Sequence, residues 1–114
     1  MRIVTSCDID SAHFLPNYNG KCHNVHGHRW HIEIELDGAV KEDGMLWDFS
    51  EIRGYFKQYD HVSLNDYVEN PTAENLAILF ASELKDKALN QERLIKKVKV
   101  RVFEAPNSYA EAEV

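Results

Sequence analysis

Residues 30–37 alternate between apolar and polar side chains at every position, and this pattern constrains the fold more than any other part of the chain. The apolar side chains are Trp30, Ile32, Ile34 and Leu36, and the polar ones are His31, Glu33, Glu35 and Asp37. The alternation predicts a β-strand in a sheet that has one apolar face and one solvated face.

Three further segments carry the signs of strands, and two segments carry the signs of helices. In residues 49–59 and 73–88, apolar residues recur at steps of three and four, as on the buried side of a helix. The other predicted strands are residues 2–12, 97–102 and 109–114. The order along the chain is then strand, strand, helix, helix, strand, strand. Because strands and helices are segregated, we predict an α+β fold: an antiparallel four-stranded sheet with two helices on one face.

The starts of both helices are marked by residues that suit helix ends. Asp48 or Ser50 is the expected N-cap of the first helix, because either side chain accepts hydrogen bonds from backbone N–H groups. The second helix follows residues 70–72. We expect Pro71 in its first turn, where a missing N–H costs nothing.

Length and charge limit the function classes. The 114 residues predict one domain over residues 1–114. Nineteen acidic residues against 13 basic ones give a net charge of −6, which argues against nucleic acid or an anionic membrane as the main partner. The N-terminus lacks the apolar core of a signal peptide, and no apolar run reaches the length of a transmembrane helix. We therefore expect a cytoplasmic protein whose two cysteines stay reduced.

Six histidines stand out in so short a chain, and three of them share one geometry. His26 and His28 are two residues apart and lie on the same side of an extended strand. His13 ends the preceding strand, so a hairpin would bring it opposite them. An isolated histidine pair of this kind is a weak signal, but three imidazoles with one open position form a catalytic zinc site.

Cys22 lies four residues before His26, and the spacing leaves its role open. It is either a fourth ligand that closes a structural zinc site, or a free thiol that works as base or nucleophile beside the metal. Asp60 and His61 are likewise either an acid/base pair or a feature of a helix end. Cys7, inside the strand pattern, is most simply a small buried apolar residue.

Glu104 places a carboxylate at the end of an otherwise apolar face, because it continues the parity of Val98, Val100 and Val102. Such a group is usually paired or serves a ligand. A carboxylate is well shaped to accept two N–H bonds from the guanidine-like edge of a pterin or guanine ring.

These residues occur in the order of a known family. The matching segments are His13, then 22–28 (CHNVHGH), 44–49 (GMLWDF), 60–65 (DHVSLN), 71–75 (PTAEN) and 103–104 (FE). Together they resemble the 6-pyruvoyl-tetrahydropterin synthase superfamily over nearly the whole chain. The spacing of Cys22 from His26 is most similar to the bacterial 6-carboxytetrahydropterin synthase branch, which acts in queuosine biosynthesis.

The resemblance implies a fold and a site. It implies the tunnelling fold, in which copies of the chain join their sheets into a barrel, commonly as a hexamer. It implies zinc on three histidines, a pterin substrate on two further residues, and a catalytic group partly supplied by a neighbouring subunit. In this sequence the zinc ligands would be His13, His26 and His28, the pterin residues Glu104 and Thr72, and the catalytic residues Cys22, Asp60 and His61.

The resemblance also implies a reaction, in which 7,8-dihydroneopterin triphosphate yields 6-carboxy-5,6,7,8-tetrahydropterin, acetaldehyde and triphosphate. One alternative is the pyruvoyl-type reaction, which eliminates triphosphate but keeps the side chain. Another is a non-catalytic module in which Cys22 and the three histidines close a structural zinc site. Lys21, Arg29 and Arg101 are the candidate cations for the triphosphate.

The sequence departs from the family pattern at four positions. Ile9, Ser11 and Tyr59 replace the more usual Phe, Ala and Leu, and we expect these to be packing changes. Ala105 replaces a Thr that often follows the pterin glutamate, which removes a hydroxyl from that part of the site.

Overall fold

Four antiparallel strands form one sheet in the order β1-β2-β3-β4. The computed structural model describes residues 1–114. The strands are β1 (Arg2–His13), β2 (His26–Ala39), β3 (Leu94–Ala105) and β4 (Ser108–Glu113), and the helices between β2 and β3 are α1 (Phe49–Tyr55) and α2 (Ala73–Asn90). The predicted α+β class and element order are confirmed.

The alternation of residues 30–37 places one face of β2 in the core. Its four apolar side chains are fully buried, together with the apolar face of β3 and the stripe of α2 that includes Phe80. These residues belong to one cluster of 23 buried hydrophobic side chains. The core thus lies between the sheet and its helices, as expected when strands present a single apolar face.

The two helices begin at capping residues. Oδ1 of Asp48 accepts from the backbone N–H of Ser50 at 2.8 Å, so Asp48 is the cap of α1. The helix ends at Tyr55, and a 3₁₀ turn (Phe56–Tyr59) completes the segment predicted as one helix. Neither helix has the length and apolar character needed to cross a bilayer.

The predicted place of Pro71 is wrong. Thr72 is the N-cap of α2, since its hydroxyl accepts from the backbone N–H of Asn75 at 3.1 Å. Pro71 therefore precedes the cap and lies outside the first turn. The side-chain oxygen of Thr72 satisfies an N–H of the first turn, and this fixes the start of the helix at Ala73, two residues after Pro71.

The β1–β2 hairpin fixes which site residues face each other. In its register His13 pairs with His26, and Ser11 pairs with His28. The outer edge of β1 is bonded to the segment after the 3₁₀ turn: the N–H of His61 donates to the carbonyl of Asp10 at 2.7 Å, and the N–H of Ala12 donates to that of Val62 at 3.1 Å. The hairpin and this added segment bring the predicted site residues His13, His26, His28, Asp60 and His61 to one end of the sheet.

The other face of the sheet is polar. Arg101 reaches Glu33 and Glu111, and Lys99 reaches Glu35, so ion pairs cross several strands. His31 lies on this face and contacts Asp8 at 2.7 Å, as its parity predicts.

Candidate active site

Three histidines converge at the end of the hairpin, on the side of the sheet that faces the core. The ring centroid of His13 lies 4.5 Å from that of His26 and 5.0 Å from that of His28. The rings of His26 and His28 are 4.7 Å apart. The structure therefore brings together the three imidazoles that strand parity predicted to lie close to one another.

Backbone carbonyls orient two of these rings. Nδ1 of His13 lies 2.8 Å from the carbonyl oxygen of Pro71, and Nδ1 of His26 lies 2.7 Å from that of Asn24. Because a carbonyl oxygen only accepts, Nδ1 of each neutral ring carries the proton and Nε2 keeps a lone pair. A carbonyl partner of this kind is typical of metal-binding histidines.

The Nε2 atoms of His13 and His28 are buried and have no hydrogen-bond partner. An unsatisfied buried nitrogen costs about 1–3 kcal/mol, and a cation held between the rings would offset that cost. The donor set, three imidazoles whose ligand atoms lie within 4.8 Å of one another, fits zinc. The residues present thus suit the metal that the family resemblance implies.

The surroundings favour the neutral form of two of these imidazoles, those of His13 and His28. Burial is the main cause that lowers the pKa of His13 and of His28, and the indole of Trp30 packs against both rings at 4.8 and 5.1 Å. For His13 the hydrogen bond to Pro71 opposes this shift. Neutral imidazole is the form that binds a metal ion.

Glu104 is closer to the histidines than its sequence position suggested. Its Oε1 atom lies 3.2 Å from Nε2 of His28 and 3.6 Å from Nε2 of His13. The ligand atoms of the three histidines and Glu104 all lie within 4.8 Å of one another. From the sequence we expected this carboxylate to be paired or to bind a pterin or guanine ring. Its contact with the histidines was not predicted, because parity alone does not reveal that β3 neighbours β2.

A groove of about 400 Å³ opens beside Glu104, between the first turn of α2 and β4. Thr72, the cap of α2, lies between Pro71, which holds His13, and Ala73, which lines the groove. The groove is lined by Ala73, Glu74, Glu104, Ser108, Tyr109, Ala110 and Glu111. Of the site residues, Glu104 lines this groove and the three histidines do not.

Cys22 lies in a 3₁₀ turn (Lys21–His23) and is half-buried. Its carbonyl accepts from the N–H of Leu15 at 2.7 Å, which ties this turn to the end of β1. Its Sγ is not among the ligand atoms that cluster around the histidines. The other cysteine, Cys7, is half-buried, and burial raises the pKa of its thiol to about 12, as for a packing residue.

The side chains of Asp60 and His61 contact each other at the outer edge of β1. Nδ1 of His61 lies 3.0 Å from Oδ2 of Asp60, whose Oδ1 accepts from the backbone N–H of Asp10 at 2.8 Å. The hydrogen bond from the backbone N–H of Asp10 is the main cause that lowers the pKa of the Asp60 carboxyl, and the contact with His61 lowers it further. The imidazole is 77% exposed, and no hydrogen bond joins Cys22 to either residue within one chain. The structure thus does not bring the three expected catalytic residues together.

His61 has a positive φ of 58°. A left-handed backbone at a residue other than glycine is strained by about 1–3 kcal/mol, and such strain is concentrated at functional sites. The hydrogen bonds of residues 60–62 to β1 hold this conformation.

Ser11 and Tyr59, two of the departures from the family pattern, are buried, as expected of packing changes, and each also makes a hydrogen bond. The Ser11 hydroxyl donates to the carbonyl oxygen of Tyr59. The Tyr59 hydroxyl donates to Glu83 at 2.8 Å, and Tyr55 donates to the same carboxylate. Burial raises the pKa of Tyr59 to about 12, so its hydroxyl keeps its proton as a donor. Ile9 does lie in the core.

Two of the three candidate cations already have carboxylate partners. Arg29 contacts Asp10 at 3.0 Å, and Arg101 contacts Glu111 at 2.6 Å. Lys21 is exposed in the turn that carries Cys22.

Comparison with known proteins places these features in context. Residues 2–114 match the family described as 6-pyruvoyl tetrahydropterin synthase. A protein of Archaeoglobus fulgidus, provisionally named 6-carboxy-5,6,7,8-tetrahydropterin synthase, is 38% identical over 115 aligned positions, covering 97% of this chain and 94% of that protein. The 6-carboxy-5,6,7,8-tetrahydropterin synthase of Synechocystis sp. is 32% identical over 96 positions, covering 74% of each chain. The solved structure of Caenorhabditis elegans 6-pyruvoyl tetrahydropterin synthase superposes with a TM-score of 0.76 and 25% identity, over 100% of this chain and 95% of that chain.

Proposed function

The chain belongs to the 6-pyruvoyl tetrahydropterin synthase family, and from this premise we propose that it is a zinc-dependent lyase of the 6-carboxytetrahydropterin synthase type. It converts 7,8-dihydroneopterin triphosphate to 6-carboxy-5,6,7,8-tetrahydropterin, releasing acetaldehyde and triphosphate, in queuosine biosynthesis. The observation that carries this proposal is the convergence of three histidines whose Nε2 atoms at His13 and His28 are buried and unpartnered.

His13, His26 and His28 would hold the zinc ion. When bound, zinc supplies a Lewis acid that polarises hydroxyl groups of the pterin side chain. The buried wall formed by Trp30 keeps water from that side of the histidines, since Trp30 is fully buried against two of the rings.

Glu104 and Thr72 would bind the pterin ring. An ionised carboxylate accepts two parallel N–H bonds from a 2-amino-4-oxo ring, which fixes the orientation of the ring as well as its position. The open groove beside Glu104 supports this role, because it leaves room for a ring in contact with the carboxylate. The hydroxyl proton of the half-buried Thr72 remains available as a donor while its oxygen caps α2.

Cys22 would act as the base that takes a proton from the substrate side chain. His61, oriented through its Nδ1 by Asp60, would pass the proton on through Nε2. Because His61 is exposed and unconnected to Cys22 in its own chain, we assign it to the site of a neighbouring copy. This requires a homo-oligomer, and we propose a hexamer in which single tunnelling-fold domains (residues 1–114) join their sheets.

The test is to incubate the zinc-loaded protein with 7,8-dihydroneopterin triphosphate and to identify the pterin product by mass spectrometry. We expect a carboxypterin together with acetaldehyde. A pyruvoyl pterin would replace this assignment by the sister activity, which the similarity to the Caenorhabditis elegans enzyme supports. Absence of any product from fully metal-loaded protein would refute both reactions.

A further inference from the structure

The contact between Glu104 and His13 is not an ordinary hydrogen bond, and Nε2 of His28 likewise has no hydrogen-bond partner. Nδ1 of His13 donates to Pro71, so the Nε2 atom that faces Glu104 presents a lone pair. A carboxylate oxygen also presents lone pairs. Two acceptors that face each other repel unless a cation lies between them. The arrangement therefore calls for a positive ion that both groups contact.

The distances agree with a shared metal ion. Tetrahedral zinc with bonds of about 2.0–2.2 Å to nitrogen and oxygen separates its ligand atoms by about 3.4 Å. The distances from Oε1 of Glu104 to the two Nε2 atoms are 3.2 and 3.6 Å. By contrast, His31 and Asp8 are 2.7 Å apart, as in a direct hydrogen bond. One hydrogen bond cannot explain both longer contacts, which share a single oxygen atom.

Exposure separates the fixed ligands from the movable one. The His13 side chain is 1% exposed and bound to Pro71, whereas the Glu104 side chain is 38% exposed and borders the groove. A glutamate has three rotatable side-chain bonds, so its carboxylate can turn from the histidines toward the groove while the rings stay in place.

We propose that Glu104 is the fourth ligand of the metal in the substrate-free protein, and that an arriving pterin ring draws this carboxylate away and opens the metal position. The second half of this inference rests on the proposed function, because it needs a ring that offers N–H donors to Glu104. The first half needs only the metal.

The metal-binding half is tested with Co²⁺ in place of zinc, because the visible absorption of Co²⁺ reports the number and type of its ligands. We expect Glu104→Gln to change this spectrum and to weaken Zn²⁺ affinity by about tenfold or more, as for loss of a supporting group at a metal site. Glu104→Asp, which keeps a carboxylate, is expected to fall between wild type and Glu104→Gln. Glu74→Gln, in the same groove but outside the ligand group, is the matched control and should match wild type. Circular dichroism checks that each variant is folded.

The release half is tested by adding 7,8-dihydropterin, which has the same ring but lacks the hydroxylated side chain and so offers the metal no hydroxyl, to the Co²⁺ protein. We expect the wild-type spectrum to move toward that of Glu104→Gln. A folded Glu104→Gln variant with wild-type spectrum and Zn²⁺ affinity would overturn the ligand role, and an unchanged wild-type spectrum at saturating pterin would overturn the release. Neither measurement depends on turnover. The proposed lyase activity and the proposed ligand role of Glu104 can therefore each fail without the other.

Discussion

The carbonyl oxygen of Pro71 and Nδ1 of His13 are joined by a hydrogen bond of 2.8 Å. The bond links the residue before the cap of α2 to the last residue of β1, 58 positions apart. It turns Nε2 of the most buried histidine toward His28 and Glu104. The start of a helix thereby determines the orientation of a clustered histidine on the sheet.

Removal of a clustered histidine should remove the metal. We expect His28→Ala to lower the bound zinc well below one ion per chain, because two remaining imidazoles hold zinc poorly. His31→Ala, on the opposite face of the sheet, is the control and should keep one ion per chain. The zinc content of both dialysed variants is measured by elemental mass spectrometry and compared. Equal zinc content in both variants would contradict the site.

The two cysteines should differ in reactivity and function. Cys22→Ala is expected to abolish turnover and retain zinc, whereas Cys7→Ala should keep activity. With metal bound at pH 8, a thiol reagent should modify Cys22 first, because burial raises the pKa of Cys7 to about 12 and keeps it protonated. If Cys22→Ala lost its zinc instead, Cys22 would be a ligand and the base role would be wrong.

Complementation between subunits should reveal a shared site. Cys22→Ala and His61→Ala are each expected to be inactive, but a mixed oligomer refolded from both should regain part of the wild-type rate, since some sites then contain both residues. Mixing Cys22→Ala with Asp60→Asn tests the same point for the orienting carboxylate. No recovery in verified mixed oligomers would show that these residues do not act across subunits.

The metal-free protein should lose stability as the pH falls below about 6.5, the ordinary pKa of histidine. Burial lowers the pKa of His13 and His28 in the folded chain, so the unfolded chain binds more protons in the interval between the folded and unfolded pKa values. The free energy of unfolding then rises with pH across that interval. Urea unfolding at several pH values measures it. We expect a smaller slope for His28→Gln, and an equal slope would contradict this cause.

Ser11→Ala should destabilise the fold by about 1–2 kcal/mol, because it leaves the carbonyl of Tyr59 without its buried donor. Urea unfolding measures the loss. Ser6→Ala, on the solvated face of the same strand, is the control and is expected to change stability little. A Ser11→Ala variant as stable as wild type would mean that the carbonyl finds another partner.

Side-chain parity was enough to predict the sheet, its buried face and the convergence of the histidines. His13 could be placed beside His26 and His28 because it ends β1 of the hairpin where His26 begins β2. The contact of Glu104 with them could not, since it depends on β3 lying beside β2, and strand adjacency is a tertiary property. The bond from Ser11 to Tyr59 spans 48 residues and leaves no local signal.

The segment that carries His61 also limits where another strand can be added to the edge of the sheet at β1. Its hydrogen bonds use the outward backbone groups of Asp10 and Ala12, the part of β1 closest to the histidines. An unpaired edge strand is a template for uncontrolled strand addition, and a covered one is not. Another polypeptide can therefore extend the sheet only along the earlier part of β1 or along β4. The residues that hold His61 in place also protect this end of the edge against aggregation.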